Sequence, residues 1–551
     1  MSEKYKRAEI LERIESETFD VVIIGGGITG AGVARDAAMR GLKTLVVDKS
    51  DFAFGTSWRS SKLVHGGLRY VAQANFKVVF ESCNERWKLM TQIAPHIVKP
   101  MNFIIPSYKG RGKPRWMFIV GLIVYEILSF FKNYKHFKTL SKKKLPEIVP
   151  EINQKDLVGG VSYYDCTVLD YRLVLETLKS AQDNGATLLN YWKADRINYS
   201  PDHKLNIVEL ENALHDSEDR KRIHVKTKAV VNAGGVWADD ILQRAGKDER
   251  FNLRRSCGIH LLFDSSELKI DKTIAFESPV DDRIIFAIPW GNRVVLGTTD
   301  RFSNEDPDDL PIVKKSIDYL LDSFNAIFPD VNLTRDKILS AYAGVRPLVG
   351  GKPGADETRL PRDFQIRMSD DGLISITGGK LTTYRHMSKA LVDKMVKAFF
   401  KDKELKPCST ISPISGGDFK PLGEEEKEKI LSELNIAPEV LKHLAGSYGS
   451  NFKTILDYVR KNSECGQSIY PGASNIWAEI DYFIDHEFAF NLLDIMLRRT
   501  TFFLFLDNNG LGAVDGIARY MAKKLNWSEE KVNSEITLYK EYVANMKKYL
   551  E

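Results

Sequence analysis

The stretch Phe19-Asp20-Val21-Val22-Ile23-Ile24-Gly25-Gly26-Gly27-Ile28-Thr29-Gly30, with the following residues to Asp48, decides the fold. Phe19 to Ile24 is a short apolar run rich in β-branched residues, the pattern of a strand buried on both faces in a parallel sheet. After the glycines, Ala31 to Arg40 reads as a helix, and Gly41 stands where a helix stops. Leu42 to Val47 is a second strand that ends at Asp48. Strand, helix and strand at this spacing make one βαβ unit.

Gly25, Gly27 and Gly30 fill the three positions of G-x-G-x-x-G. The first allows a tight turn, the second lets a pyrophosphate approach the backbone, and the third lets the helix pack against the strand. Ile28 and Thr29 lie in the same turn as cofactor contacts, and the free N–H groups and positive dipole end of the helix that follows suit phosphates. Asp48 can accept a hydrogen bond from a ribose hydroxyl, and Lys49 follows it. A bare glycine motif is weak, but here strand, turn, helix, strand and terminal acid agree on a dinucleotide. The unit does not separate FAD from NAD. A second glycine turn, Gly378-Gly379-Lys380-Leu381-Thr382-Thr383, leans toward FAD, because a helix starting there can aim its N–H groups at an electron-rich ring. Taken alone, that turn is an ordinary strand-to-helix connection.

The chain of 551 residues is too long for a single core, and its size predicts two to four domains. A net charge of +5 suits an anionic substrate or membrane surface without demanding either. Nucleic acid is not expected, since no RNA-binding signature or long basic arm is present. Five scattered cysteines without Cys-x-x-Cys spacing predict a reducing compartment and neither a zinc site nor a disulfide frame. Met1 to Asp20 is charged and helix-prone with no apolar core, unlike a secretory signal.

Outward from the glycine turn, the reading is α/β: a Rossmann-type FAD-binding domain with an inserted, mostly antiparallel β-sheet substrate domain and a helical C-terminal domain. Residues 18–105 hold the first part of the FAD-binding domain, 106–150 a helical insertion, and 151–244 the second part. The substrate domain occupies 245–340, including a hairpin over Arg283 to Asp300 with its turn at Trp290-Gly291-Asn292. Residues 341–405 complete the FAD-binding domain, and 410–551 form the helical domain. Trp116 to Phe131 is the most apolar stretch, flanked by Lys113, Arg115, Lys132 and Lys135. It is shorter than the ~20 residues of a spanning helix. A buried core helix comes first among its readings, then an interfacial helix, then a span.

Four further motifs carry a resemblance. Ser60-Ser61-Lys62-Leu63-Val64-His65-Gly66-Gly67-Leu68-Arg69-Tyr70, Val231-Asn232-Ala233-Gly234-Gly235-Val236-Trp237, Tyr342-Ala343-Gly344-Val345-Arg346-Pro347-Leu348 and Gly378-Gly379-Lys380-Leu381-Thr382-Thr383-Tyr384-Arg385 stand in this order. Together they resemble the FAD-dependent, aerobic (respiratory) glycerol-3-phosphate dehydrogenases, and the likeness continues through His486-Glu487 and Asp494 to Thr500. Two positions depart from the family wording: Asp48 stands where some members carry Glu, and Cys257-Gly258-Ile259-His260 differs from the expected segment. His260 is therefore read as a structural histidine.

The resemblance implies oxidation of sn-glycerol 3-phosphate to dihydroxyacetone phosphate, with hydride passing from C2 to flavin N5 and electrons passing to membrane quinone. It places Arg69, Tyr70, Arg362 and Lys380 on the substrate phosphate and Arg346 at the reacting end. Arginine suits both tasks through its planar, permanently charged fork. His65 is the side chain suited to take the hydroxyl proton, and Arg346 would stabilise developing alkoxide charge. Thr56, Ser57, Ser61, Lys62, Leu63, Ala233, Gly234, Gly379, Leu381 and Thr382 join the glycine turn as cofactor contacts. A peripheral attachment to the cytoplasmic membrane, with the protein on its cytoplasmic side, follows from a quinone partner, and the resemblance leaves room for a homodimer. Two other readings stay open: an oxidase that passes electrons to O2 and releases H2O2, and a non-catalytic flavin- or NAD-binding sensor.

Overall fold

The structure, a computed structural model, describes residues 3–214, 221–350 and 363–548. After an N-terminal helix, α1 (Glu3–Ser16), the βαβ unit forms as β1 (Thr18–Ile24), α2 (Ile28–Met39) and β2 (Thr44–Val47). The helix begins three residues before Ala31 because Gly27, extended at φ −78° and ψ −177°, already caps it. Next come α3 (Phe76–Lys88), β3 (Val98–Tyr108), α4 (Arg115–Leu128), β4 (Leu157–Val168), α5 (Asp170–Asp183), β5 (Thr187–Leu189) and β6 (Arg222–Asn232). A run of strands follows: β7 (Arg254–Asp264), β8 (Thr273–Glu277), β9 (Ile284–Trp290), β10 (Arg293–Gly297) and β11 (Ser340–Leu348). Then β12 (Phe364–Met368), β13 (Leu373–Gly378) and α6 (Tyr384–Phe399) lead into helices between Glu424 and Lys547.

The first sheet runs β12-β13-β6-β1-β2-β5, parallel from β13 to β5. Val22 of β1 lies opposite Val230 on one side and Leu45 on the other. Val22, Ile23, Val46, Val230 and Val231 are fully buried, as a sheet covered on both faces requires. Each such side chain contributes about 1.5–3 kcal/mol by leaving water. On one face α2 packs against α5 and α6.

The second sheet is antiparallel except where β8 meets β3. It recruits more chain than residues 245–340. Strands β3 and β4, expected to lie in or border the FAD-binding segments, pair with each other from Val98↔Val168 to Tyr108↔Leu157 and extend this sheet. Residues 106–150 are also not wholly helical, since Lys138–Ser141 adds a strand to β4. Both departures arise from long-range pairing that local periodicity does not report. The expected hairpin is present as β9 and β10, turning at Gly291-Asn292.

The α4 helix is not a core helix. Leu122, Tyr125 and Glu126 are buried, whereas Trp116, Val120, Ile123 and Ile127 are exposed. Among the described residues no helix is long and apolar enough to cross a membrane.

Candidate active site

A cleft of about 1220 Å³ opens at the carboxyl ends of β1, β2, β6 and β13, where open α/β sheets bind their ligands. Each strand delivers its motif there as it ends: Gly25 after Ile24, Asp48 after Val47, Ala233-Gly234 after Asn232, and Gly379-Lys380 after Gly378. The volume exceeds the ~300–1,000 Å³ of a drug-sized pocket and leaves room for a dinucleotide beside a small substrate.

The glycine turn has the geometry of a phosphate cradle. Gly25 sits at φ +110°, and a Cβ there would fall 2.6 Å from the Ala233 carbonyl oxygen. Gly27, Ile28 and Thr29 line the cleft at the start of α2. Gly30 stands behind the wall, where a Cβ would come 1.8 Å from the Gly25 carbonyl oxygen, so it serves helix–turn packing. Asp48 steadies the turn: its Oδ2 accepts from the Gly26 N–H at 2.7 Å and its Oδ1 from Ser50 N–H at 2.9 Å. Burial raises the Asp48 carboxyl to about 6 against the pull of those two N–H groups. The Ser57 hydroxyl accepts from Ile28 N–H at 3.0 Å, and Thr56 donates to the Val345 carbonyl at 2.6 Å. Lys49 pairs with Asp308 and lies 4.3 Å over the Trp237 ring; all three line the cleft. These donors, the backbone approach and a ribose-ready acid fit an FAD whose pyrophosphate lies at the α2 terminus.

At the other end the second sheet borders the cleft. Arg69, Tyr70 and Lys380 gather there: Arg69 donates to the Tyr70 hydroxyl at 2.9 Å, and Lys380 Nζ lies 3.8 Å from the Tyr70 ring centroid. Arg346, on β11, donates to Thr298 Oγ1 at 3.0 Å and pairs with Asp300 at 3.2 Å. The His65 N–H is held by Thr382 Oγ1 at 3.2 Å, which joins the two glycine-rich motifs across the cleft. Ser61, Leu63, Gly379 and Leu381 line the same wall.

Three expected site residues stand apart. Lys62 does not line the cleft; its ammonium is buried against Asp170 at 2.8 and 2.9 Å, in an internal ion pair. Burial lowers its pKa while Asp170 opposes the shift. Gly30 packs behind the wall. Arg362 lies outside the described residues. The reverse case is His260, read from sequence as structural yet lining the cleft. Its Nε2 meets Ser61 Oγ at 2.8 Å, its ring stacks on Tyr342 at 4.7 Å, and its buried Nδ1 has no hydrogen-bond partner among the described residues. Burial, with Arg346 and Lys62 nearby, drives its pKa well below the ordinary histidine value. Arg59, Arg255 and Thr298 also line the cleft and carried no motif in the sequence.

The comparisons agree with this geometry. The pattern described as FAD dependent oxidoreductase matches residues 20–385, and that described as the C-terminal domain of alpha-glycerophosphate oxidase matches 408–532. An aerobic glycerol-3-phosphate dehydrogenase of Staphylococcus haemolyticus (strain JCSC1435) is 34% identical over 536 residues, 96% of this chain and 94% of that protein. Its counterpart from Staphylococcus aureus (strain USA300) is 35% identical over 540 residues, 96% and 95% of the two chains. The crystal structure of the glycerol-3-phosphate dehydrogenase from Bacillus halodurans complexed with FAD superposes with a TM-score of 0.81 at 29% identity, covering 100% of this chain and 99% of that one. A glycine turn at the parallel-strand ends, its supporting acid and full-length likeness converge: the chain belongs to the FAD-dependent aerobic glycerol-3-phosphate dehydrogenase family.

Proposed function

We propose that this protein oxidises sn-glycerol 3-phosphate at C2 to dihydroxyacetone phosphate and passes the electrons to a membrane quinone. The observation that carries this reading is the convergence of Arg69, Tyr70, Lys380 and Arg346 with two imidazoles in the cleft that begins at the glycine turn. FAD, when bound, supplies the acceptor for the hydride leaving C2. The protein's own groups do the rest. Arg69 and Lys380, with the Tyr70 hydroxyl, hold the substrate phosphate, and Arg362 is the fourth member of that set. Arg346 faces the developing negative charge on the C2 oxygen and stays protonated throughout, since guanidinium does not release its proton in proteins.

The C2 hydroxyl proton goes to His65. His260 is a poorer acceptor, because the cations and burial that lower its pKa make its ring weakly basic. Its task is to orient: bonded to Ser61 and stacked on Tyr342, it braces the wall beside Arg346. The glycine turn, Asp48, Lys49, Thr56 and Ser57, with the 233–234 and 379–382 turns, seat the cofactor. The protein works at the cytoplasmic face of the membrane, where its acceptor resides.

Anaerobic mixing with glycerol 3-phosphate tests the substrate. The yellow flavin bands are expected to bleach, and an unbleached holoenzyme would refute the assignment. Stopped-flow mixing of the reduced enzyme with air and with a quinone tests the acceptor. Fast reoxidation by quinone and slow reoxidation by air are expected, whereas rapid peroxide release would mark an oxidase.

A further inference from the structure

Arg346 reaches the cleft from a socket built by one glycine of β7 and the turn after β10. On β11, Arg346 lies directly opposite Ser256 of β7, and Gly344 lies opposite Gly258. Alternate residues of a strand share a face, so Ser256, Gly258, Gly344 and Arg346 all stand on the same side of the sheet. The Arg346 side chain runs diagonally across that side, a reach open to long side chains. Gly258 leaves the path clear. A Cβ there would fall 2.7 Å from Arg346 Nη2, 2.5 Å from Thr298 Oγ1 and 2.6 Å from the Thr299 carbonyl oxygen. Gly258 is not among the glycines at positive φ, so the requirement is one of space.

The turn at 298–300 closes the socket. Arg346 Nη2 donates to Thr298 Oγ1 at 3.0 Å, while Nη1 donates to the Thr299 carbonyl at 3.4 Å and to Asp300 Oδ1 at 3.2 Å. The turn is itself pinned to β7: the Ile259 N–H donates to Thr299 Oγ1 at 3.0 Å, and residues 301 and 302 pair with Cys257 and Ser256. Asp300 is anchored from elsewhere too. The buried Ser256 hydroxyl donates to its Oδ1, and Arg283 Nη1 donates to its carbonyl oxygen at 2.6 Å. The Asp300 side chain is only 11% exposed and does not border the cleft, whereas Arg346 does. Asp300 therefore acts through Arg346 and not on a ligand.

Holding both terminal nitrogens fixes the plane of the guanidinium as well as its position. The bond to the carboxylate is charge-assisted and so the firmer of the two holds. A carboxylate beside this cation also offsets part of its pull on negative charge. What it contributes is direction, and direction matters: a misplacement of ~1 Å at a reacting group can cost about 100-fold in rate.

We infer that Asp300 is a positioning residue that aims the Arg346 guanidinium at the reacting end of the cleft, with Gly258 as the notch that admits it. This rests on the reading that Arg346 stabilises the charge developing on the C2 oxygen.

Two measurements on the FAD-loaded enzyme test it: the rate of anaerobic flavin bleaching by glycerol 3-phosphate, and the labelling of Arg346 by phenylglyoxal, read by peptide mass spectrometry. Asp300→Ala is expected to bleach about 10–100-fold more slowly, with the half-saturating substrate concentration little changed. Arg346 labelling should rise, and Arg69 labelling should stay at the parent level. In Asp300→Asn the amide oxygen can still accept from Arg346 and Ser256, so bleaching should stay within about fivefold of the parent. Added to Arg346→Ala, Asp300→Ala should cost no more than about twofold further, because the group it aims is gone. A merely structural role would slow both backgrounds by the same factor. If Asp300→Ala does not fold, Gly258→Ala carries the same comparison in the two backgrounds. Parent-like bleaching with unchanged Arg346 labelling would overturn the inference. So would equal losses in the two backgrounds, or an Asp300→Asn enzyme as slow as Asp300→Ala. Raised labelling with parent-like bleaching in both Asp300→Ala and Arg346→Ala would instead remove Arg346 from the reaction and leave the socket standing.

Discussion

Arg499 reaches across the domain boundary to Asp51, with its two terminal nitrogens 2.9 and 3.0 Å from the carboxylate oxygens. Arg498 joins on the same carboxylate, and all three side chains are buried. Burial alone would raise the Asp51 pKa, but the two guanidinium groups overcome it and hold the carboxylate ionised. Asp51 lies three residues beyond Asp48, on the loop that wraps the cofactor cleft. The C-terminal helices thereby fix the loop that the glycine turn leans on.

Arg499→Ala should therefore destabilise the protein by about 3–5 kcal/mol, because it takes a cation from each of the buried carboxylates of Asp51 and Glu487. FAD affinity should fall with it, as the 48–61 loop loosens. Differential scanning calorimetry and flavin titration read the two effects. A melting temperature equal to that of the parent would show that the contact does not stabilise the fold.

Two glycines separate packing from cofactor binding. A Cβ at Gly30 meets the Gly25 carbonyl at 1.8 Å, so Gly30→Ala should disturb the turn itself and lower stability in the apoprotein. Among the described residues beyond its chain neighbours, a Cβ at Gly27 would meet Ser57 Oγ at 3.2 Å, and the backbone suits any residue. Gly27→Val should fold close to normally yet fail to take up FAD, because the side chain fills the pyrophosphate path. Circular dichroism of the apoprotein with flavin absorbance after reconstitution distinguishes the two.

Binding of FAD should depend on pH through Asp48. Its folded carboxyl titrates near 6, above the unfolded value, so the free protein holds a proton there at lower pH. A ribose hydroxyl donates to the carboxylate form, and binding below pH 6 must first expel that proton. Affinity should hold above pH 6 and fall by up to about tenfold per unit below it. In Asp48→Asn the dependence should flatten, with weaker binding throughout; isothermal titration across about pH 5 to 8 checks both.

Arg346→Ala should lower kcat by about 10²–10³-fold, the scale of losing one charge-stabilising donor, while FAD stays bound. Its guanidinium is held by Thr298 and Asp300, just past the end of β10. Steady-state kinetics with a dye acceptor, beside the flavin spectrum, measure the split. A variant that loses flavin instead would move Arg346 to the cofactor.

Much of the site was legible because its residues sit at strand ends. Gly25, Asp48, Gly234 and Gly379 are local punctuation, and parallel strands bring such points to one edge. His65, Arg69 and Arg346 were reached through family wording rather than periodicity. His260 escaped because its meaning depends on a register, Tyr342 opposite it across an antiparallel pair, that no local pattern records. Lys62 misled for the same reason: its partner Asp170 is 108 residues away. The exposure of α4 was also hidden, since an apolar helix reads alike whether its second face meets a core or meets nothing.

The placement of β1 between β2 and β6 has a consequence for how the chain is born. Val22 waits for Val230, which the ribosome delivers 208 residues later. At ~5–20 residues per second that is roughly 10–40 s during which one edge of β1 stands unpaired. Completion of the parallel sheet is thus paced by translation, and chaperone cover over the first 230 residues should raise this enzyme's yield.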